Sequence, residues 1–116
     1  MKHTVSLKLN HVFQRLYRKG NSAVSSTMAV YVRRNGRDHS RLGFTVSTKL
    51  GKAVVRNRTR RRLREVYRTN EDKLCPGYDV VVVARVKAAH CKYQVLEKDF
   101  LKLAGKLGLL KKEKQA

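Results

Sequence analysis

The chain has 116 residues, 41% of them hydrophobic, which is enough for the core of a single domain. Its 28 lysines and arginines outnumber its 8 aspartates and glutamates, so the net charge is +20. Such an excess predicts a polyanion as partner, and without a long apolar run or a signal-peptide pattern we expect neither a membrane partner nor secretion.

The first predicted element is a helix that Asn10 caps and that ends near Gly20. Phe13 and Tyr17 are four residues apart, so they lie on one face of this helix. The residues just beyond it leave room for one short strand near Ala23.

Two alternating strands follow, over residues 26–34 and 41–47, with turn-forming residues between them. Their apolar positions share one face of a sheet: Met28, Val30, Val32, Leu42, Phe44 and Val46. The other face has small, polar, aromatic and basic residues: Ala29, Tyr31, Arg33, Arg41, Gly43, Thr45 and Ser47. We expect helices mainly on the apolar face, and we expect the second face, with too little bulk for a core, to be a floor for a ligand.

The next predicted helix, over residues 53–69, has six arginines between Arg56 and Arg64. Its apolar stripe consists of Val55, Thr59, Leu63, Val66 and Tyr67, and helical spacing places the basic residues opposite or beside it. Residues 1–64 have 17 lysines and arginines against one acid, whereas residues 65–116 have 11 against seven acids. The partner surface is therefore predicted to come mostly from the first half of the chain.

The remaining segments complete an α+β sandwich. "YDVVVVAR" is apolar on both faces, as expected of a central strand that is covered on both sides. A last helix has leucines and a phenylalanine at helical spacing, and "KKEKQA" at residues 111–116 reads as a flexible tail. We predict one domain over 1–116, with an ordered core of about 8–108.

The arginine-rich helix is predicted to bind phosphates, because guanidinium groups donate bidentate hydrogen bonds and stay charged. A merely soluble face is the plainer alternative, but such faces usually mix the two signs of charge. A localisation signal fits poorly, because the segment also has a core-forming stripe. Phe13, Tyr17 and Tyr31 are candidates for stacking on unpaired bases, although the first two could equally dock their helix on the core.

Autonomous catalysis is not indicated by the residues. The four histidines are scattered without acid partners, and the two cysteines, Cys75 and Cys91, lack the spacing of a zinc site. Neither an acidic cluster for a metal pair nor a P-loop occurs. We therefore predict no catalytic and no metal-binding residue. The cysteines fit free thiols, and we expect a cytoplasmic protein.

"RLGFTVSTKLGKAVVRNRTRRRLREVYR", residues 41–68, resembles the signature of the bacterial ribonuclease P protein subunit. The matching positions are Lys49, Ala53, Val54, Arg56, Asn57 and Arg58, with Gly51 one residue from its usual offset. The early aromatic helix, the "PGYDVVVVAR" strand and the leucine-rich last helix also fit. Mild departures are Tyr17, where phenylalanine is also usual, and Arg60, where lysine is common.

The resemblance implies an αβββαβα sandwich like domain 2 of ribosomal protein S5, with a left-handed β-α-β crossover. It implies a non-catalytic subunit: a catalytic RNA, with Mg²⁺ held by the RNA, removes the 5′ leader of precursor tRNA. Residues implied to face the catalytic RNA are Arg56, Asn57, Arg58, Arg60, Arg61, Arg64 and Arg68. Residues implied for a 5′-leader cleft are Phe13, Tyr17, Tyr31, Arg33 and Lys49.

Three other functions stay open on the sequence. A ribosomal protein or basic RNA chaperone shares the composition and the charge. Duplex DNA binding would place the arginine-rich helix in a major groove, although no DNA partner is expected. An autonomous nuclease would cut RNA without an RNA partner.

Overall fold

The computed structural model describes residues 1–8 and 10–111. Within them lie five strands and three helices: β1 (Thr4–Ser6), α1 (Asn10–Lys19), β2 (Asn21–Val24), β3 (Met28–Arg34), β4 (Ser40–Thr45), α2 (Ala53–Asn70), β5 (Tyr78–Ala84) and α3 (Tyr93–Lys106). Short 3-10 turns occur at Thr48–Leu50, Glu71–Lys73 and Val86–Ala89. The mixed α+β class and the order of the predicted elements are confirmed.

One five-stranded sheet, in the order β1-β4-β5-β3-β2, organises the molecule. β5 pairs in parallel with β4 and antiparallel with β3, so the predicted central strand is confirmed. β2 is the short strand for which the sequence leaves room. α2 connects the parallel neighbours β4 and β5; the left-handed crossover and the likeness to the S5 domain stay predictions.

The main core lies on the sheet face that the sequence marks as apolar. Val30 and Val82, neighbours in the β3–β5 register, are buried there under α2 and α3. Tyr67 of α2 and Phe100 of α3 are fully buried, with ring centroids 6.0 Å apart. This packing fixes which face of α2 points outward.

The second sheet face has a smaller core of its own, contrary to prediction. Val12 and Leu16 of α1 are buried with Leu7 and with Val81 of β5. Val81 points away from the main core because successive strand residues alternate between faces. The expectation that this face has too little bulk for a core is wrong, because α1 supplies the apolar bulk that the strands lack.

β1, which was not predicted, forms one edge of the sheet. It pairs in parallel with β4, and the Thr4 hydroxyl lies 3.1 Å from the Tyr67 hydroxyl. After α3, Leu109 is buried and Leu110 forms a β-bridge with Leu74. Packed residues thus occur on both sides of the predicted range 8–108. Most of the predicted tail, 112–116, lies outside the described residues.

Candidate nucleic-acid interface

α2 presents its basic residues to solvent because its apolar stripe is buried. Thr59, Leu63, Val66 and Tyr67 face the core as predicted, and Val55 is half-buried against it. Most of the residues predicted to face RNA are exposed: Asn57, Arg58, Arg60, Arg61, Arg64 and Arg68. Arg56 is half-buried. The orientation of the helix is therefore the one that phosphate binding requires.

Two arginines on one edge of α2 hold a neighbouring loop. Arg58 donates to the carbonyl of Ala89 at 3.2 Å, and Arg62 donates to the carbonyl of Cys91 at 2.7 Å. Both carbonyls belong to the segment that leads from β5 to α3. These guanidinium groups therefore have a structural task, which sequence periodicity does not reveal.

At the C-terminal end of α2, Arg68 is engaged by a carboxylate. It forms a bidentate ion pair with Glu65, whose pKa is lowered by the hydrogen bonds from Arg68. Both side chains are about half exposed, so solvent screens the pair and its stabilising effect is small. The more N-terminal Arg60, Arg61 and Arg64 form no ion pair within residues 1–8 and 10–111. Their charge is therefore available to a partner.

A surface cleft of about 600 Å³ lies beside α2, and it brings together residues predicted for two different sites. One wall is formed by Asn57, Arg60, Arg61 and Arg64 of α2. A second part of the lining is the segment 4–8, which includes β1. Phe13 of α1 and Gly43 of β4 are among the other lining residues. The arginines thus border the same space as an aromatic ring.

Phe13 has its position because Gly43 has no side chain. A Cβ atom built on Gly43 would lie 2.5 Å from both Cε1 and Cζ of the Phe13 ring, closer than any real contact. The ring therefore rests directly on the backbone of β4, half-buried, and borders the cleft. The small residues of this face admit α1 rather than leaving the face empty.

Tyr17 and Tyr31 meet on the same side of the sheet. Their ring centroids are 5.0 Å apart at an interplanar angle of 77°, an edge-to-face arrangement. The Tyr17 hydroxyl lies 2.7 Å from the Thr45 hydroxyl oxygen. Both rings are half-buried, so each is fixed while part of its surface stays accessible.

Neither tyrosine is among the residues that line the cleft beside α2. The remaining two residues predicted for the leader site lie elsewhere again. Arg33 lines a separate depression with Arg15, which lies on the other side of the buried Val12–Leu16 stripe of α1 from Phe13. Within the described chain, the two sets of lining residues have no member in common. Lys49 is exposed in the 3-10 turn between β4 and α2.

Sequence reasoning missed the N-terminal wall of the cleft. Three residues of β1 give no strand signal of their own, and their pairing with β4 spans more than thirty positions, from Thr4 to Ser40. The buried Glu71 accepts hydrogen bonds from the backbone amides of Lys2 at 2.7 Å and His3 at 3.4 Å. A long-range tether of this kind leaves no local pattern.

The described residues offer no metal site. Among them no group of three or more His, Cys, Asp or Glu side chains is arranged to hold a metal ion. Cys75 and Cys91 are free thiols, as predicted. In the same part of the chain, no helix has the length and apolar character needed to cross a bilayer.

The fold and the cleft define a cationic α+β domain that is suited to a polyanion. The family model of ribonuclease P matches residues 1–108. The protein component of ribonuclease P from Natranaerobius thermophilus is 38% identical over 112 residues, with 97% of each chain covered. That from Clostridioides difficile is 39% identical over 101 residues, covering 86% of this chain and 89% of its own. The chain therefore belongs to the family of bacterial ribonuclease P protein components.

Solved structures give the same assignment. The ribonuclease P protein of Staphylococcus aureus is 32% identical and superposes with a TM-score of 0.82, over 91% of this chain and 97% of its own. That of Thermotoga maritima is 33% identical with a TM-score of 0.77, over 84% and 92%. The resemblance stated from residues 41–68 is thereby confirmed at the level of family and fold.

Proposed function

We propose that this ribonuclease P protein component binds the catalytic RNA through α2 and binds the 5′ leader of precursor tRNA beside it, so that removal of the leader is promoted. One observation carries the proposal: Arg60, Arg61 and Arg64 border the same cleft as the Phe13 ring. A single-stranded nucleic acid needs both features, since its phosphates require cations and its bases require an apolar or aromatic surface.

The α2 face is suited to a crowded RNA backbone. Its guanidinium groups can each donate two hydrogen bonds to a phosphate, and Asn57 adds an uncharged donor and acceptor. Asn57 accepts a hydrogen bond from Arg60 at 3.1 Å, which holds that guanidinium at the cleft. In this proposal the RNA, not the protein, holds the Mg²⁺ ions and performs the hydrolysis. The arginines replace part of the Mg²⁺ that would otherwise neutralise phosphates.

The leader site is formed by the aromatic side of α1 and the sheet. Phe13 and the Tyr17–Tyr31 pair offer fixed ring surfaces on which successive bases can stack in a sequence-tolerant manner. Lys49, exposed just after β4, is a candidate contact for a phosphate of the same single-stranded leader. Mature tRNA has no leader, so this site favours substrate over product. A cytoplasmic location accords with the two free thiols.

The test is cleavage of a 5′-labelled precursor tRNA at low Mg²⁺ by the protein alone, a bacterial ribonuclease P RNA alone, and the mixture. We expect that only the mixture releases the leader at the mature 5′ end, or that it does so far more rapidly than the RNA alone. A substrate series with progressively shorter leaders should then lose affinity in the mixture but not with the RNA alone. Phe13→Ala should remove that dependence on leader length.

Four results would contradict the proposal in different ways. If the mixture is no more active than the RNA alone, the protein has no function in leader removal. Cleavage by the protein alone would establish an autonomous nuclease. Efficient competition by duplex DNA would favour groove binding by α2. Stimulation that is indifferent to leader length would leave a general RNA-binding role, as in a basic RNA chaperone.

A further inference from the structure

A second cationic surface lies around the loop that connects β3 to β4. A depression of about 300 Å³ there is bordered by Arg15 of α1, by Arg33 and Arg34 of β3 and by Arg37 of the loop, which together we name the arginine corner. All four side chains are exposed. The buried stripe of α1 lies between the arginine corner and Phe13, so the corner and the cleft are separate surfaces.

The loop of the arginine corner is fixed by backbone contacts. The backbone N–H of Asn35 donates to the carbonyl of Gly77 at 2.9 Å, and the Asn35 side-chain oxygen accepts from the backbone N–H of Arg37 at 2.8 Å. Gly36 follows with φ of 71°, which favours glycine. A Cβ atom on Gly77 would lie only 2.8 Å from the carbonyl oxygen of Arg37, so the two turns are packed together. The guanidinium groups therefore project from a defined scaffold.

The nearby carboxylates leave the arginine corner uncompensated. Asp79 is bound by Arg41, with oxygen–nitrogen distances of 2.8 and 2.6 Å, and it also accepts from Asn35 at 3.1 Å. Asp38 is fully exposed, and its partner is His39 at 3.0 Å. Over residues 1–8 and 10–111, none of the four corner arginines forms an ion pair.

The chemistry of the surface selects its ligand. Arg34 lies over the Tyr78 ring, 6.0 Å from its centroid, and Tyr78 packs against the main core, so Arg34 points to the other sheet face from Arg33. The only apolar residues that line the depression are the buried Val12 and Leu16, so no exposed apolar anchor for a protein partner is offered there by the described residues. Arg15, Arg33 and Arg37 form no ion pair among the described residues, so they repel one another, and phosphates relieve that repulsion.

We infer that the arginine corner binds backbone phosphates of RNA independently of α2. This inference rests on the proposed function only in taking RNA as the partner, and it makes the protein bivalent for RNA. Two phosphate-binding surfaces on opposite sides of α1 would fix the orientation of the domain on a folded RNA, which one helix face alone does not do. Contacts to phosphates position a protein without reading sequence.

The test compares Arg15→Gln/Arg37→Gln with Lys98→Gln/Lys102→Gln, a control that removes the same charge from exposed positions of α3. Neither corner residue belongs to the proposed leader site. Affinity for a bacterial ribonuclease P RNA, and separately for precursor tRNA, is measured across a series of KCl concentrations. Thermal unfolding of each variant checks that the fold is retained.

Each lost phosphate contact should reduce the magnitude of the negative slope of log affinity against log salt by about 0.7 to 0.9. The slope of the corner variant should therefore be shallower by about 1.4 to 1.8. At about 0.1 M salt this corresponds to roughly 25- to 60-fold weaker binding, with little change for the control. The RNA that shows the loss, catalytic RNA or precursor tRNA, is the source of the phosphates.

The same pair of substitutions is then placed in a protein that already has Arg60, Arg61 and Arg64 replaced by glutamine. If the corner is an independent site, the two substitutions should make the slope shallower by the same amount in that background. An unchanged slope in both RNAs, or an equal loss in the α3 control, would overturn the inference. Either result would leave the cleavage assay and the proposed function untouched, so the two can fail separately.

Discussion

At the scale of single residues, the absence of a side chain at one position determines the candidate site. Gly43 lies on the sheet face opposite the main core, and the Phe13 ring occupies the space that a larger residue would fill. The ring position, and with it the floor of the cleft, therefore depends on a glycine that the sequence marks only as small.

Gly43→Ala is expected to displace the Phe13 ring and to destabilise the protein by about 1–3 kcal/mol, because an added methyl group in a filled space forces its neighbours to shift. Urea unfolding measures the stability, and leader-length dependence of cleavage measures the site. Gly105→Ala is the matched control, because its Cβ would meet only Leu110 Cδ1 at 3.5 Å, an ordinary contact. Equal behaviour of the two variants would show that Phe13 does not need the empty position.

At the scale of elements, α2 combines two tasks that helical periodicity cannot separate. Arg61 and Arg62 are adjacent in sequence and chemically identical, yet Arg61 borders the cleft and Arg62 donates to the carbonyl of Cys91. The segment after β5 is thereby attached to α2. Only the tertiary structure distinguishes an arginine available to RNA from one that holds a loop.

Arg62→Gln should lower the free energy of unfolding by about 1–3 kcal/mol, because glutamine is too short to replace the charged hydrogen bond to the partly buried carbonyl of Cys91. Arg61→Gln should leave stability within about 0.5 kcal/mol of the parent and weaken binding to ribonuclease P RNA. Urea unfolding and RNA titration of both variants check the split. The division of tasks is refuted if both variants lose RNA affinity while neither loses stability.

Most elements could be predicted from the sequence because their patterns are local. The alternation in β3 and β4, the stripe of α2 and the doubly apolar β5 each occupy one continuous stretch. β1 could not, since three residues have no periodicity and pair only with a distant strand. The small core that α1 forms on the second sheet face was also missed, because it depends on Gly43 accepting an aromatic ring.

β1 is tied to the rest of the molecule by Glu71. Burial alone would raise the pKa of this carboxyl, but hydrogen bonds from Thr4 and from the amides of Lys2 and His3 lower it overall. Since the folded-state pKa lies below the unfolded value, the stabilisation is complete above the unfolded pKa. It is lost as the pH falls through the folded one.

Glu71→Gln should therefore cost about 1–3 kcal/mol near neutral pH, through loss of charged hydrogen bonds to the N-terminal strand. The difference from the parent should shrink as the pH is lowered below about 4.5, where the parent carboxylate also becomes protonated. Urea unfolding across this range measures it, with the exposed Asp72→Asn as control. A difference that stays constant down to the lowest pH would mean that the charge of Glu71 does not hold β1.

At the scale of the whole molecule, the net charge of +20 is divided between distinct surfaces, and Mg²⁺ should compete with the α2 surface for the same phosphates. Replacing Arg60, Arg61 and Arg64 by glutamine removes three such contacts, so affinity for the catalytic RNA should fall about 100-fold or more at about 0.1 M salt. Added Mg²⁺ should then restore the cleavage rate, because it neutralises the phosphates that the arginines have left. Lys98→Gln/Lys102→Gln should keep the Mg²⁺ requirement of the parent, as those side chains lie on α3. If the triple variant cleaves precursor tRNA at the parent's Mg²⁺ concentration, the α2 face does not take over the role of the ion.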